Sequence, residues 1–405
     1  MKISFSPPYI DNDIKEEVNK VMDSGWITTG AKVKELEDAV AGYCGVEKAL
    51  AVNSATSALM LVLHWLGVKP GDEVIVPAYT YCATALAVMH AGATPVMVDV
   101  RDDFNIDPAL IKKAITQKTK AIISVDIAGW PCDYNAIYNI INEASVVSMF
   151  IPGSSVQQQL GRIMLIADAA HSFGAKYKNK PAGQLADMTV FSFHAVKNIT
   201  TAEGGIICLQ MPLPFDNNSI YATLRLWSLN GQTKDAFAKT MGNSWRYDIV
   251  YPGFKINMPD VLAAIGLGQI KKYAELLMKR KEVVEYYTAT LKNHKWAIIP
   301  PYDNGISASS YHIFALRIKD ITEEQRDEII NAIMQMGVSV NVHFVPLPML
   351  TVFKQRGYSI DSYPQSYKLY SGEVSLPVYP QLTIPQLDFI IKTVIESVKK
   401  VCFNE

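Results

Sequence analysis

The sequence predicts an α/β protein with a mainly parallel sheet and helices on both faces, followed by a smaller α+β domain. Between residues 49 and 209, short apolar runs alternate with segments of helical spacing, which is typical of parallel strands joined by crossover helices. From about residue 290, strands and helices alternate again after a long helix. We therefore expect a large domain over residues 1–285, which includes the N-terminal segment, and a small domain over residues 286–405.

Apolar periodicity and the residues that end it predict the elements in order. Helical spacing predicts helices over 11–23, which Gly25 ends, and over 33–43. Further along we expect strands at 49–52, 72–77, 95–100, 121–126, 165–168, 205–209 and 313–318. We expect further helices at 55–66, from about 84, at 108–115 and 220–229, from about 261 to beyond 280, and at 323–336. Residues 144–162 are polar and rich in turn formers, and we interpret them as an inserted surface loop or short helix, not as a domain boundary.

Composition excludes several classes of protein. The 405 residues carry a net charge of −1, which gives no electrostatic reason to expect nucleic acid or an anionic membrane as a partner. The first eight residues lack the apolar core of a signal peptide, and no run of about 18 apolar residues occurs. The five cysteines are scattered and lack CxxC spacing, so we expect reduced thiols and no metal site. These features favour a cytoplasmic protein.

The chemistry is expected to centre on Lys197, in the sequence FSFHAVKN, which precedes the pair Gly204-Gly205. Apolar and aromatic surroundings disfavour the charged form of a lysine and make its amine a nucleophile. Upstream, the apolar run LIAD ends in Asp168, which a strand would place at its carboxyl end. A Schiff-base lysine and an aspartate for a pyridinium nitrogen are the pair that pyridoxal phosphate enzymes require. Taken singly, Lys197 could be a surface lysine and Asp168 a strand-end cap.

A second feature is the strand-to-helix junction NSATSA at residues 53–58. Small and hydroxylic residues there leave backbone N–H groups at a helix N-terminus free to bind an anion, although they also suit an ordinary helix cap. Thr56, Tyr81, Asp126 and Asp168 all follow predicted strands. Because parallel sheets bind ligands at the carboxyl ends of their strands, we expect a common site there.

The sequence resembles the DegT/DnrJ/EryC1/StrS family of pyridoxal phosphate-dependent sugar aminotransferases. The resemblance runs from Gly25-Trp26 to Ser375-Leu376-Pro377 and rests on five motifs in order: NSATSAL, DAAHSFGA, FSFHAVKN…TAEGG, GFKINMPDVLAAIGL and YHIF. It implies the aspartate aminotransferase-like fold, which is fold type I of the pyridoxal phosphate-dependent transferases. It also implies a transaminase and a homodimer with shared active sites.

The resemblance implies catalytic roles for matching residues. Lys197 would hold pyridoxal phosphate through a Schiff base and then move a proton between substrate and cofactor. Asp168 would pair with the pyridinium nitrogen, and His171 would approach the phenolic oxygen. Tyr81 occupies the aromatic position that stacks on the cofactor ring.

The phosphate-binding residues are implied in the same way. The backbone amides of Ala55 and Thr56 and the hydroxyl of Ser192 would hold the phosphate. Asn257 of the partner subunit would complete the set, which is why a shared site is expected.

Substrate-binding candidates are less defined. Arg246 and Lys255 are candidates for binding a diphosphate or the donor carboxylate, with a solvated pair of cations as the alternative. Tyr251, with Trp245 and Tyr247, is expected to form either a sugar-facing aromatic wall or a plug between subunits. Both interpretations follow from an aromatic content that is too high for a plain surface loop.

Two histidines and two departures from the family pattern complete the analysis. His343 matches a family position near the substrate, with plain strand packing as the alternative. His194 is expected either to be packed in an aromatic neighbourhood or to lie behind the residues that contact the substrate, with a catalytic role as the alternative. Family members often have Glu where this chain has Ala167 and His where it has Asp126.

The resemblance implies transfer of an amino group from an amino acid, expected to be L-glutamate, to a nucleotide-linked 4-keto-6-deoxy sugar for surface polysaccharide or a related glycan. Overall likeness favours C4 amination of a UDP-linked 2-acetamido sugar over C3 amination. A dehydratase of the same fold would carry His in place of Lys197. A non-catalytic regulator would have no need of Lys197, Asp168 and Ser192 together.

Overall fold

A seven-stranded sheet organises the N-terminal part of the chain. The computed structural model describes residues 1–233 and 246–403. The strands are β1 (Lys48–Val52), β2 (Glu73–Pro77), β3 (Thr94–Val98), β4 (Thr119–Val125), β5 (Met164–Asp168), β8 (Met188–Ser192) and β9 (Gly205–Leu209), in the order β1-β9-β8-β5-β4-β2-β3. Neighbouring strands are parallel, except that β9 runs antiparallel to β1 and β8. The predicted mainly parallel sheet is confirmed.

Helices cover both faces of this sheet because successive strand residues point to opposite sides. Along β5, Leu165 and Ala167 join one apolar cluster, whereas Met164 and Ile166 join another. The helices of this part are α1 (Asn12–Ser24), α2 (Ala31–Cys44), α3 (Ala55–Leu66), α4 (Cys82–His90), α5 (Pro108–Ala114), α6 (Tyr134–Ile141), α7 (Ala144–Met149), α8 (Ser155–Leu160) and α9 (Asn217–Ser228). The described helices include none that is long and apolar enough to cross a membrane.

The inserted segment at 144–162 forms the two short helices α7 and α8, as one of its interpretations predicted. Ser154 caps α8 by accepting from Gln157 N at 3.1 Å and donates to Leu66 O at 2.7 Å. The ammonium group of Lys120, at the start of β4, donates to Ile151 O at 2.6 Å. The insertion therefore packs against the amino ends of the strands and does not separate two domains.

The long helix predicted from residue 261 is two helices. They are α10 (Asp260–Ile270) and α11 (Tyr273–Leu291), and they meet at Lys272, whose φ of −111° and ψ of 4° are not helical. The Lys272 ammonium group binds Asp11 and Asp13 at the start of α1. The prediction of one helix was wrong, since the backbone leaves helical geometry at Lys272.

A three-stranded antiparallel sheet organises the C-terminal part. It contains β10 (Ala297–Ile298), β12 (Phe314–Ile318) and β13 (Glu373–Leu376). The helices here are α12 (Glu323–Gln335), α13 (Thr351–Lys354), α14 (Pro364–Gly372) and α15 (Ile384–Cys402). A third, small sheet joins β6 (Lys176–Tyr177), β7 (Lys180–Pro181) and β11 (Ser307–Ala308). Ile3 packs with the C-terminal core and pairs with Val338, and the expected boundary at 285 lies within α11. The division into two domains therefore stays a prediction.

Candidate active site

A cavity of about 580 Å³ lies at the carboxyl edge of the seven-stranded sheet. Eight residues proposed from the sequence line it together: Ala55, Thr56, Tyr81, Asp168, His171, Ser192, Lys197 and His343. They follow β1, β2, β5 and β8 or come from the C-terminal part, so the strand-end rule brings distant segments to one place. Four other candidates, Arg246, Tyr251, Lys255 and Asn257, are not among the described residues that line it.

The N-terminus of α3 forms one wall of this cavity. Ser54 caps the helix by accepting a hydrogen bond from Ser57 N at 3.1 Å. Ala55 and Thr56 occupy the first turn, whose backbone N–H groups have no acceptor within a helix. A Cβ on Gly205 would lie 2.4 Å from the carbonyl carbon of Ser54 and 2.5 Å from Ala55 N. Glycine at this position therefore lets β9 approach the loop, and the resulting wall suits a phosphate group.

Asp168 ends β5 and is buried. Its Oδ2 accepts from Thr84 Oγ1 at 2.7 Å, and its Oδ1 accepts from Ala170 N at 3.3 Å. Burial raises the pKa of this carboxyl, while the two hydrogen bonds and the charge of Lys197 act in the opposite direction. Sequence reasoning missed Thr84, although its place in the first turn of α4, three residues after Tyr81, could have indicated it.

Lys197 lies in the loop that follows β8. Its backbone N–H donates to His194 O at 2.9 Å, which closes a tight turn after Ser192. Burial lowers the pKa of Lys197 to about 8, and the nearby Asp168 carboxylate only partly offsets this effect. A larger fraction of neutral, nucleophilic amine is thus present near neutral pH than for an ordinary lysine.

His171 follows β5 and is buried. Its Nδ1 accepts from Ala128 N at 3.3 Å, so the ring hydrogen lies on Nε2. Burial lowers the pKa of His171 well below its ordinary value, and Lys197 and His343 add to the effect. The ring also stacks on Phe344 with 5.7 Å between centroids. His171 therefore offers a neutral N–H donor.

A hydrogen-bonded pair behind His171 was not assigned a role from the sequence. His312 Nδ1 donates to Asn198 Oδ1 at 2.8 Å, and Asn198 Nδ2 donates to Ser310 O at 2.7 Å. The His312 ring lies 4.5 Å from the His171 ring, measured between centroids. The YHIF motif contains His312, so the signal was present, but its partners lie too far along the chain to be inferred.

His343 and His194 occupy different parts of the cavity. His343 lines it, and its Nδ1 lies 2.8 Å from Ser375 Oγ. His194 is not packed among aromatic residues, because its side chain is 46% exposed and its Nε2 lies 3.5 Å from Glu203 Oε1. The expectation of a packed position was wrong, because the turn that ends at Lys197 directs His194 to the mouth of the cavity. The other expectation, a place behind the residues that contact the substrate, stays a prediction.

Comparison with known proteins gives a result that agrees with this arrangement. The model of the DegT/DnrJ/EryC1/StrS aminotransferase family matches residues 8–150 and 156–395. The chain belongs to this family. Its resemblance to the family, inferred from the five motifs, is confirmed.

Relatives within the family extend over nearly the whole chain. The spore coat polysaccharide biosynthesis protein SpsC of Bacillus subtilis is 33% identical over 98% of this chain and 97% of its own length. The UDP-4-amino-4-deoxy-L-arabinose–oxoglutarate aminotransferase of Shewanella sediminis is 32% identical over 96% of this chain and 97% of its own. The PMP form of the putative sugar aminotransferase Spr1654 of Streptococcus pneumoniae is 40% identical to this chain, with a TM-score of 0.94, over 99% of this chain and 98% of its own. Its PLP form has the same identity and TM-score. The transferase fold of type I is thereby confirmed.

The two departures from the family pattern have structural explanations. Ala167 is buried in the core of the sheet. Asp126 is also buried: its Oδ2 accepts from Ser172 Oγ at 2.7 Å, and its Oδ1 accepts from Cys132 N and Tyr134 OH, each at 2.9 Å. Burial raises the pKa of Asp126 to about 6. Asp126 therefore holds the turn that carries His171 and is not among the residues that line the cavity.

Of the four remaining candidates, Asn257 is the one found among the described residues that line a second cavity. Asn257 lines a cavity of about 310 Å³ and donates to Thr29 Oγ1 at 2.6 Å. Lys255 is exposed and donates to Asn257 Oδ1, and Arg246 is exposed. Tyr251 packs within its own chain, because its ring stacks on Trp227 at 4.0 Å and its hydroxyl lies 2.6 Å from His64 Nε2. Trp245 lies outside the described residues.

The residues of the first cavity fit pyridoxal phosphate. The first-turn amides of α3 and the Ser192 hydroxyl suit its phosphate, and the Asp168 carboxylate suits a cationic ring nitrogen. Lys197 would supply the amine for a Schiff base. Tyr81, whose side chain is 59% exposed at the cavity, offers an aromatic face for the ring.

Proposed function

We propose that this protein transfers an amino group from L-glutamate to a nucleotide-linked 4-keto-6-deoxy sugar. It is a sugar aminotransferase, and its cofactor is pyridoxal phosphate. The observation that carries the proposal is the placement of Lys197, with its pKa lowered to about 8, in one cavity with Asp168 and the α3 N-terminus. The products would serve surface polysaccharide or related glycan synthesis.

Each residue of the cavity has a proposed task. When bound, the cofactor supplies an electron sink that weakens the bond between hydrogen and the substrate carbon. Lys197 takes this proton and returns it, because its neutral amine is a base of suitable pKa. Asp168 stabilises the positive charge on the ring nitrogen. The Nε2–H of His171 would donate to the phenolic oxygen, and Tyr81 would orient the ring by stacking.

The residues that line the cavity are compatible with two different substrates that bind one after the other. Its described lining residues include no arginine, so no fixed clamp for a second carboxylate is found there. Such a cavity suits both a small diacid and a bulky sugar nucleotide. The Shewanella relative is named for a UDP-linked sugar with an amine at C4 and for oxoglutarate, which favours glutamate as donor, C4 as the position and UDP as the nucleotide. We further propose a 2-acetamido group on the sugar.

We propose a homodimer in which Asn257 of the partner subunit completes the phosphate site, with Arg246, Tyr251 and Lys255 near the shared boundary. Asn257 pairs with Val52 at the end of β1 but faces the second cavity in its own chain. Tyr247, Ile249 and Val250 nearby are each at least 51% exposed. Exposed apolar side chains in a group are typical of interaction surfaces.

The substrate is tested through the two halves of the reaction. The enzyme is first converted to its amine form with L-glutamate and then mixed with UDP-, dTDP- and GDP-linked 3-keto and 4-keto sugars. Return of the visible absorbance with UDP-linked 4-keto sugars is the expected result. Return with 3-keto sugars alone contradicts C4 amination, and no return with any sugar contradicts the sugar assignment. Lys197→Ala is the control that should respond to none.

A further inference from the structure

A serine hydroxyl connects His343 to a buried carboxyl group. His343 Nδ1 lies 2.8 Å from Ser375 Oγ, and Ser375 Oγ lies 2.5 Å from Glu373 Oε1. The other carboxyl oxygen, Oε2, accepts from the backbone N–H of His343 at 3.0 Å. Glu373 and Ser375, both on β13, have no exposed surface, whereas His343 lines the cavity. The three side chains form a hydrogen-bonded chain from the interior to the cavity.

The donors and acceptors of these three side chains permit two arrangements of their hydrogen bonds. The backbone N–H of His343 always donates to Oε2, so a carboxyl proton must lie on Oε1. If Glu373 is ionised, Ser375 donates to Oε1 and accepts from Nδ1–H, and Nε2 of His343 carries a lone pair. If Glu373 is protonated, it donates to Ser375, Ser375 donates to Nδ1, and Nε2 carries the ring hydrogen.

We propose that Glu373 and Ser375 are positioning residues that set the tautomer of His343, so that its Nε2 accepts from the substrate when Glu373 is ionised and donates when Glu373 is protonated. The exchange balances with a single proton. Nε2 gains a hydrogen from the cavity, Nδ1 passes one to Ser375, and Ser375 passes one to Glu373. The imidazole remains neutral throughout.

The electrostatics of the three groups agree with such an exchange. Burial, and then the charge of Lys197, lower the pKa of His343 to about 3, so the imidazolium form is absent near neutral pH. Burial raises the pKa of Glu373 to about 8. A proton that enters at Nε2 is therefore held by Glu373 and not by the ring.

Other charged and titratable groups face these three side chains and affect the pKa values of Glu373 and His343. Arg326 of α12 lowers the pKa of Glu373 but less than burial raises it. Tyr79, which follows β2, also faces Glu373. His171 and His312 interact with His343 from the side of the cavity. All three histidines have lowered pKa values, so none of them adds a competing positive charge near neutral pH.

The ring of His343 is also held in place by a residue outside the His343–Ser375–Glu373 proton relay. Phe5 stacks on it with 5.4 Å between centroids and 19° between planes. Rotation of the ring is thus restricted, and the position of the hydrogen is what remains adjustable. This inference rests on the proposed function only for the identity of the substrate that meets Nε2.

The test uses Glu373→Gln, which keeps the shape of the side chain. Its carbonyl oxygen accepts from the His343 backbone, so its NH₂ group must donate to Ser375, and Ser375 must donate to Nδ1. Nitrogen-15 NMR of the histidine-labelled holoenzyme reports which nitrogen is protonated, and His343→Asn identifies the His343 signals. We expect the wild type to change from Nε2–H to Nδ1–H as the pH rises through about 8, and Glu373→Gln to stay Nε2–H from about pH 6 to about 9.5.

Two further variants separate the relay from a general structural effect. Ser375→Ala should abolish the pH-dependent change of tautomer, whereas Ser371→Ala, whose hydroxyl donates to Lys368 O, should leave it as in the wild type. The proposal is overturned if wild type and Glu373→Gln show the same tautomer at every pH, or if Ser375→Ala keeps the change.

The consequence for substrate is measured in the second half-reaction. At about pH 9, the KM of Glu373→Gln for the keto sugar should differ from that of the wild type by about 10-fold, and at about pH 6 the two should agree, because both then present Nε2–H. Equal KM values at both pH values overturn a role in substrate binding. If no keto sugar reacts even with the wild type, the proposed function fails, and the NMR result still decides the relay.

Discussion

Thr84 Oγ1 donates a hydrogen bond of 2.7 Å to Asp168 Oδ2, and both residues are buried. The bond connects the first turn of α4 to the end of β5 and opposes the rise in the Asp168 pKa that burial causes. Thr84 in turn lies 3.1 Å from Thr80 Oγ1. The charge state of the Asp168 carboxyl thus depends on a hydroxyl group from a different strand–helix unit of the sheet.

Thr84→Val should slow turnover by about 10- to 100-fold, because a hydrogen bond to a charged group contributes about 1.5–3 kcal/mol. Val has nearly the same shape, so the fold should be retained. Steady-state kcat, with cofactor absorbance as a check of loading, measures the effect. Thr223→Val, at a partly exposed position of α9, is the matched control, and an equal effect of both changes would contradict the role of Thr84.

Lys197 should make loading of the cofactor depend on pH in a defined direction. Its pKa is lowered to about 8, and only the neutral amine attacks an aldehyde. The rate at which the apoenzyme gains visible absorbance should therefore rise with pH and level off above about 8. A rate that still rises near pH 10 would indicate an ordinary lysine. Lys197→Ala should gain no such absorbance, whereas Lys178→Ala, at an exposed position, should behave as the wild type.

Gly205→Ala should weaken cofactor binding, because the new Cβ would lie 2.4 Å from the Ser54 carbonyl carbon and displace the turn proposed to bind the phosphate. We expect the Kd for pyridoxal phosphate to rise at least about tenfold, which corresponds to about 1.4 kcal/mol. Gly42→Ala is the control: nothing lies within 4 Å of a Cβ there, and α2 should gain about 0.5–1 kcal/mol of stability. Titration of the apoenzyme and thermal unfolding measure both variants.

A mixed dimer tests whether the site is shared. Lys197→Ala alone should be inactive, and Asn257→Ala alone should bind the cofactor weakly. In a purified heterodimer of the two, one of the two sites combines the intact Lys197 of one subunit with the intact Asn257 of the other. At limiting pyridoxal phosphate this heterodimer should recover about half of the wild-type activity. Activity no higher than the mean of the two homodimers would place Asn257 in the site of its own chain or outside both.

The sequence predicts the sheet and much of the cavity because both depend on local patterns. An apolar run locates β5, and Asp168, which ends it, reaches the edge of the sheet where ligands bind. The strand β8, which ends at Ser192, was not among the strands expected from the sequence. The contacts that alter the pKa values of the site residues join residues that are distant in sequence. Thr84 is 84 residues from Asp168, and His343 is 30 residues from Glu373. No spacing rule connects such pairs, since the packing of separate elements creates them.

Expectations that failed did so for a related reason. His194 was expected to be packed because its neighbours in sequence are aromatic, yet its own side chain projects towards Glu203. The single helix expected from residue 261 is divided at Lys272, where the side chain meets Asp11. In both cases the backbone geometry, a tight turn before Lys197 and a non-helical residue at Lys272, differs from what the local sequence pattern indicates.

The insertion that forms α7 and α8 meets the sheet at the end opposite to the cavity, through Lys120 and Leu66. The internal gap in the match to the family model, residues 151–155, falls within it. Insertions and deletions at this end are therefore separated from the residues of the cavity by the full length of the strands. Residues 151–155 are thus a suitable place to insert a short epitope or a fluorophore site when turnover must be left unchanged.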